Sequence, residues 1–154
     1  MRVLITTLLL ACLGSTVAAA EDSAAADIVK TKTPAGHFYS AQLSLDQGFP
    51  FSDMVETHGG LIFISGLVGT DESGELVTGG LEAETHAIFR QMKTYLAHLN
   101  LDLTDVVKCL VMIDDIDQWG DFNGVYTQYF KPPYPARSAM GADGLALGAS
   151  LELE

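Results

Sequence analysis

The chain has 154 residues, with 8 Lys and Arg against 20 Asp and Glu, and its formal net charge is -12. This length corresponds to one compact domain, which excludes a two-domain enzyme with a separate cofactor module. The acidity argues against nucleic-acid binding through a basic face, because the long-range field of the protein would repel phosphates.

The first 20 residues have the three-part layout of a secretory signal peptide. A short basic start precedes the apolar run 3–13, and Ala18-Ala19-Ala20 offers a cleavage site. The apolar run is about half of the roughly 20 residues that a membrane crossing needs, so we expect cleavage and no membrane association afterwards. The sequence therefore predicts an exported protein, periplasmic or secreted, with lipid anchoring through Cys12 as the open alternative.

Residues 21–50 carry no regular hydrophobic period. The stretch 21–32 is rich in Ala, Asp and Ser, and we expect it to form a fraying tail. Prolines, glycines and scattered aromatic residues over 33–52 indicate an irregular arm lying on the domain. The regular fold is expected to occupy residues 51–154.

Two elements are predicted in the first half of this domain. The run 61–66 is short, apolar and bounded by glycines, which predicts a buried strand. Residues 71–74 are of types that favour a turn. From Leu81 to Leu99 apolar residues recur every three or four positions, which predicts a helix that ends near Asn100.

Three elements follow in the second half. The run 106–113 predicts a strand, in which Cys109 is expected to be a buried structural thiol. Aromatic residues at helical spacing over 119–129 predict a shorter helix, which Pro132-Pro133 would stop. Strict alternation in 151–154 predicts a half-buried strand. The sequence thus indicates an α+β domain in which two helices cover a sheet.

Most signature motifs of catalysis are missing from the sequence. The four histidines have no metal-ligand spacing, and no glycine-rich phosphate loop is present. Arg137 follows a proline-stiffened loop, so it could offer a fixed, forked donor to a carboxylate or a phosphate. On residue type alone, a surface arginine that pairs with one of the 20 acids is an equally good interpretation.

The sequence resembles the RidA/YjgF family over most of its length, from about residue 50 to the C-terminus. Five blocks carry the resemblance: FISG at 63–66, DVVK at 105–108, DFNGVYTQYF at 121–130, PARS at 135–138 and LELE at 151–154. The resemblance implies a chorismate-mutase-like α+β fold with a mixed β-sheet, and a homotrimer with a cleft between each pair of subunits. It also implies hydrolysis of reactive 2-imino or enamine acids to 2-keto acids and ammonia, with no metal or organic cofactor.

The resemblance also implies roles for individual residues. Arg137 matches the arginine that binds the substrate carboxylate, and Glu152 matches the acid that positions the attacking water. Ser65 and Gly66 match the strand-end pair that lines the cleft, and Asn123 matches the cleft asparagine.

Two further cleft positions depart from the family pattern. Phe51 stands where the family has a tyrosine, so the phenol hydroxyl is missing, and Ala139 stands where it often has a cysteine. The Phe51 change, together with the predicted export, keeps open a second hypothesis, a non-catalytic protein that binds a small carboxylate such as a 2-keto acid. A third is a holdase-type chaperone whose acidic surface keeps its clients soluble.

Overall fold

The computed structural model describes residues 27–154, so the predicted signal peptide and Cys12 lie outside the described residues. None of the helices in this range has the length and apolar character to cross a membrane. In chain order the elements are β1 (Ile28–Thr33), β2 (Gly36–Ala41), α1 (Gln42–Asp46), β3 (Met54–Thr57), β4 (Ile62–Ile64), β5 (Leu67–Val68), α2 (Gly80–His98), β6 (Lys108–Ile113), α3 (Trp119–Tyr129), β7 (Ala136–Gly141) and β8 (Leu151–Leu153).

The strands form two groups of four. The first has the order β1-β2-β3-β4, and all its neighbours are antiparallel. The second has the order β5-β8-β6-β7 and is mixed, because β6 and β7 run parallel while β8 is antiparallel to β5 and β6. The expected α+β fold is confirmed, with the difference that its strands divide between two hydrogen-bonded groups.

The main core lies between the second sheet and the two long helices. On β6 the buried side chains alternate, since Cys109, Val111 and Ile113 all point toward the helices. They meet the buried stripe of α2, which includes Ile88, and the buried face of α3, which includes Phe122. Cys109 is buried, so the prediction of a buried structural cysteine is confirmed, and burial raises the pKa of its thiol.

A β-hairpin occupies part of the segment that the sequence assigns to a tail and an irregular arm. Strands β1 and β2 pair in register, and β2 continues the sheet onto β3. The four central residues of β1 are exposed. The strand therefore lacks the alternation of apolar and polar residues that predicts a strand from sequence. Gly36 is required at the turn, because its φ is +148° and a Cβ there would overlap the Glu56 carbonyl.

The strand expected at 61–66 exists as β4, but it is not fully buried. It is an edge strand of the first sheet, and in the single chain Phe63 is 57% exposed. Glycine boundaries and β-favouring residues correctly indicate a strand there, although they cannot tell a buried strand from an edge strand. Strands β3, β5 and β7 were not predicted from the sequence.

Candidate functional site

The guanidinium of Arg137 is packed against the aromatic face of α3. Arg137 lies on β7 beside Cys109 of β6, so its side chain points to the helix side of the sheet. Its central carbon is 4.5 Å from the ring centres of both Trp119 and Tyr126, and 5.5 Å from that of Phe122. Each such cation–π contact contributes about 0.5–2 kcal/mol, so together the rings restrict the orientation of the charged group.

Asn123 fixes the guanidinium further without neutralising it. A terminal nitrogen of Arg137 donates a hydrogen bond to Asn123 Oδ1 at 2.8 Å. Among residues 27–154, no carboxylate lies within ion-pair distance of Arg137. The interpretation in which Arg137 pairs with a surface acid therefore does not hold within the described chain, and the remaining donors can bind an external anion.

A cavity of ≈ 380 Å³ opens beside this arginine. Its lining residues are Asn123, Tyr126, Thr127, Tyr134, Pro135 and Arg137. Its volume is in the range of small-molecule sites, which are mostly apolar with a few polar groups that fix orientation. Chemically, it can hold a small anion at the guanidinium and an apolar group against the aromatic wall.

Glu152 lies at the centre of the second sheet, on β8. Its neighbours Leu151 and Leu153 are fully buried, whereas Glu152 is half-buried, so the predicted alternation is confirmed. It pairs with Met112 of β6 and Val68 of β5, on the face of the sheet that points away from the helices. Within the described part of the chain, its carboxylate forms no hydrogen bond or ion pair, so both oxygens are free to hold a water molecule.

Gly66 contacts Glu152, while Ser65 and Phe51 are linked to Gly66 along the chain and through a hydrogen bond. The Glu152 side chain fills the space that a Cβ at Gly66 would need. Ser65 donates its hydroxyl to the carbonyl of Ser52 at 2.7 Å, which joins it to the residue after Phe51. Phe51 is 51% exposed and stacks on Phe49, with 5.3 Å between ring centres.

Arg137 and Glu152 therefore lie on opposite faces of one sheet. Arg137 and Ala139 pair with the inward-facing Cys109 and Val111, whereas Glu152 pairs with Met112 on the outer face. Their positions also differ by three residues along β6, or about 10 Å at the rise of a strand. The structure brings Arg137 and Asn123 together, but it does not bring Arg137 and Glu152 together within one chain.

Two buried carboxylates were not identified from the sequence. Asp53 accepts hydrogen bonds from the Ala41 amide, the Ser44 hydroxyl and the Tyr95 hydroxyl. Glu84 of α2 is 3% exposed and binds Ser150. In a sequence both resemble surface acids, because the groups that satisfy them come from distant segments.

The aromatic support of Arg137 was also missed as a functional feature. Trp119, Phe122 and Tyr126 were predicted only as the apolar face of a helix. Their spacing of three and four does carry the signal, since it places all three rings on one face. For metals, the described residues contain no group of three or more His, Cys, Asp or Glu side chains that could bind an ion.

Comparison with known proteins gives consistent results. The family model described as endoribonuclease L-PSP matches residues 42–154. The human protein 2-iminobutanoate/2-iminopropanoate deaminase is 39% identical over 94 residues, which cover 60% of this chain and 69% of the human protein. Reactive Intermediate Deaminase A, chloroplastic, of Arabidopsis thaliana is 32% identical over 106 residues, 68% of this chain and 56% of that protein.

Solved structures agree with these relatives. The crystal structure of RidA from an Antarctic bacterium, Psychrobacter sp., matches with a TM-score of 0.64 at 31% identity, over 68% of this chain and 84% of that one. Yeast Mmf1 matches with a TM-score of 0.64 at 28% identity, over 68% and 83% of the two chains.

Proposed function

This chain belongs to the RidA/YjgF family, and from that premise we propose that it hydrolyses reactive 2-imino or enamine acids to 2-keto acids and ammonia. The proposal is based on the environment of Arg137. Asn123 and three aromatic rings orient its guanidinium group, and no carboxylate of the described chain forms an ion pair with it. An arginine in this state is suited to bind the carboxylate that all these substrates share.

The reaction needs little beyond placement of the reactants. Water attacks the carbon of the C=N bond, and the resulting carbinolamine loses ammonia to leave a C=O bond. We assign to Glu152 the positioning of this water, with its carboxylate accepting a proton from the water and passing it to the leaving nitrogen. The imine carbon is already electrophilic, so an anion clamp and an oriented water supply most of the required rate increase.

We infer that the complete site forms between two copies of the chain. Arg137 and Glu152 lie on opposite faces of the sheet, so a substrate that contacts both requires a second subunit. A closed ring of three copies would give three equivalent clefts, as the family resemblance implies. One subunit would supply Arg137, Asn123 and Ala139, and its neighbour would supply Glu152, Gly66, Ser65 and Phe51.

The first test measures ammonia release from a freshly generated 2-imino acid. Purified wild-type protein should accelerate it, Arg137→Ala and Glu152→Gln should each abolish the gain, and Arg90→Ala should retain it. Arg90 is a matched control because it is an exposed arginine on α2. Equal rates with and without wild-type protein would exclude the deaminase proposal.

The second test addresses the shared cleft. When the two inactive variants are co-expressed in equal amounts, random assembly should give about one quarter of the clefts an intact Arg137 and Glu152. Activity near that level, absent from either variant alone, is expected. A mixture as inactive as its components would mean that the two residues do not meet across subunits.

One observation favours a second candidate, a binding protein for small 2-keto acids. Phe51 is half-exposed and stacked on Phe49, and it offers no hydroxyl to a substrate. Calorimetry would then show binding of 2-oxobutanoate that depends on Arg137 but no turnover of the imine. Ribonuclease activity is less favoured, because the net charge of -12 opposes binding of a polyanion.

Export is a separate proposal, based on the signal-peptide pattern in residues 1–20. N-terminal sequencing of the protein recovered from its native cells should begin at Glu21. A start at Cys12 with an attached lipid would instead support the lipoprotein alternative.

A further inference from the structure

We infer that Glu84 is a positioning residue for the reaction, because it anchors the start of β8 and thereby sets the place of Glu152. The inference rests on the proposed function, in which the Glu152 carboxylate orients the attacking water. Glu84 itself does not contact the substrate in this scheme. It acts through Ser150, the residue that immediately precedes β8.

The contact between Glu84 and Ser150 uses the whole carboxylate. Glu84 Oε2 accepts the Ser150 amide hydrogen at 2.7 Å, and Oε1 accepts the Ser150 hydroxyl hydrogen at 3.0 Å. The Glu84 side chain is buried, and no Lys or Arg among residues 27–154 forms an ion pair with it. Since a buried carboxylate is costly unless it is hydrogen-bonded, these two bonds account for its presence there.

Ser150 is held from a second side as well. Its carbonyl accepts a hydrogen bond from the Asp114 amide at 3.1 Å, which attaches it to the end of β6. Gly69, next to β5, packs directly against the backbone of Glu84, since a Cβ on Gly69 would overlap it. Ser150 is thus fixed between the helix layer and the sheet.

This anchor matters because β8 has only three residues. The Glu152 carboxylate forms no hydrogen bond with the described chain, so its place is set by the backbone of β8 and by contact with Gly66. A displacement of about 1 Å in a reacting group can cost on the order of 100-fold in rate. The position of the first β8 residue is therefore a direct determinant of where the water is held.

The test compares Glu84→Ala, Glu84→Gln and the control Glu82→Ala in the imine hydrolysis assay. Glu82 is an exposed acid on the same helix, so its removal matches the change in charge. We expect Glu84→Ala to lower kcat by about 10–100-fold, with KM unchanged because Arg137 binds the carboxylate on the other face. Glu84→Gln should recover most of kcat, since its amide oxygen can still accept the Ser150 amide hydrogen.

Two further measurements separate positioning from general destabilisation. Calorimetry should show that Glu84→Ala binds 2-oxobutanoate at Arg137 as tightly as wild type does, whereas a loss of binding that matches the loss of kcat would overturn the inference. If Glu84→Ala does not fold, Ser150→Ala removes only the hydroxyl bond, and it should lower kcat with KM unchanged. A fall in kcat that Glu84→Gln does not recover would also overturn the inference.

Amide hydrogen exchange keeps the two proposals distinguishable. Glu84→Ala should speed exchange at residues 151–154 more than elsewhere in the second sheet. If the wild-type protein shows no imine hydrolysis, the proposed function fails, while faster exchange confined to β8 still establishes the anchor. Unchanged exchange at β8 would overturn the anchor whatever the activity.

Discussion

The side chain of Glu152 lies over Gly66, where an ideal Cβ would come within 2.8 Å of the Glu152 Cδ. The obstructing atoms belong to the far end of a flexible side chain, so Gly66→Ala should fold normally and push the carboxylate aside. We expect kcat for imine hydrolysis to fall by about 10–100-fold, with little change in Tm. Steady-state ammonia release and a thermal melt measure the two effects.

Gly69→Ala is the matched comparison for this prediction. A Cβ at residue 69 would meet the backbone of Glu84, which cannot move aside cheaply. We expect this variant to lose about 1–3 kcal/mol of unfolding free energy, as overpacked sites do. Full activity in Gly66→Ala would contradict the role assigned to Glu152.

Asn123 should control the affinity for the substrate carboxylate through its bond to Arg137. Asn123→Ala removes a hydrogen bond to a charged group, and a loss of about 1–2 kcal/mol corresponds to roughly 5–30-fold in kcat/KM. Asn123→Asp should be worse, because its carboxylate would neutralise the guanidinium and compete with the substrate. Steady-state kinetics at low ionic strength test both variants, and an Asp variant as active as wild type would exclude Arg137 as the anion site.

Trp119 should report ligand binding directly. It is the single tryptophan of the sequence, and its ring lies 4.5 Å from the Arg137 guanidinium carbon. A carboxylate bound at Arg137 changes the field at the indole, so titration with 2-oxobutanoate should give a saturable change in fluorescence. The change should vanish in Arg137→Ala and persist in Glu152→Gln. A response that survives Arg137→Ala would place the ligand elsewhere.

Tyr95 should weaken the fold at alkaline pH. Its hydroxyl donates to Asp53 Oδ1 at 2.9 Å, and burial together with the Asp53 charge raises the pKa of Tyr95 above its usual 10. The folded state therefore keeps this proton after the unfolded chain has lost it. The associated stability is fully present below about pH 10 and is lost as pH rises toward the folded pKa, by up to about 1.4 kcal/mol per pH unit.

The measurement is urea unfolding at several values between about pH 9 and pH 11, across the window in which an unfolded tyrosine ionises. Tyr95→Phe should show a shallower alkaline decline than wild type, while the core variant Ile88→Val should keep the wild-type slope. Identical slopes of unfolding free energy against pH for wild type and Tyr95→Phe would show that folding does not raise the pKa of Tyr95.

Elements with a strong burial pattern were predictable from the sequence. Helix α2 buries a stripe that recurs every three or four residues, and β8 alternates between buried and half-buried side chains. The hairpin β1–β2 and the edge strand β7 were not predictable in this way, because most residues of β1 and β7 are exposed. Their strand conformation depends on pairing with distant segments, which leaves no local pattern.

The candidate site was likewise predictable only in part. Arg137 is conspicuous in an acidic chain by its residue type and its proline-containing loop. The side chain of Arg137 faces α3, whereas that of Glu152 faces away from the helices. This difference depends on the register of β6 with β7 and β8, which no local sequence pattern encodes. Asp53 and Glu84 are recognisable only once their partners, such as Tyr95 and Ser150, are in place.

The central place of β8 has a consequence for how the chain folds. β8 inserts between β5 and β6, yet most of the domain separates it from β5 along the chain, so the second sheet closes only through long-range pairing. Such pairings are slow to form, and until β8 is in place β5 and β6 have unpaired edges. We therefore expect the rate-limiting step of refolding to be the insertion of β8, and the species that precedes it to be the most prone to aggregation.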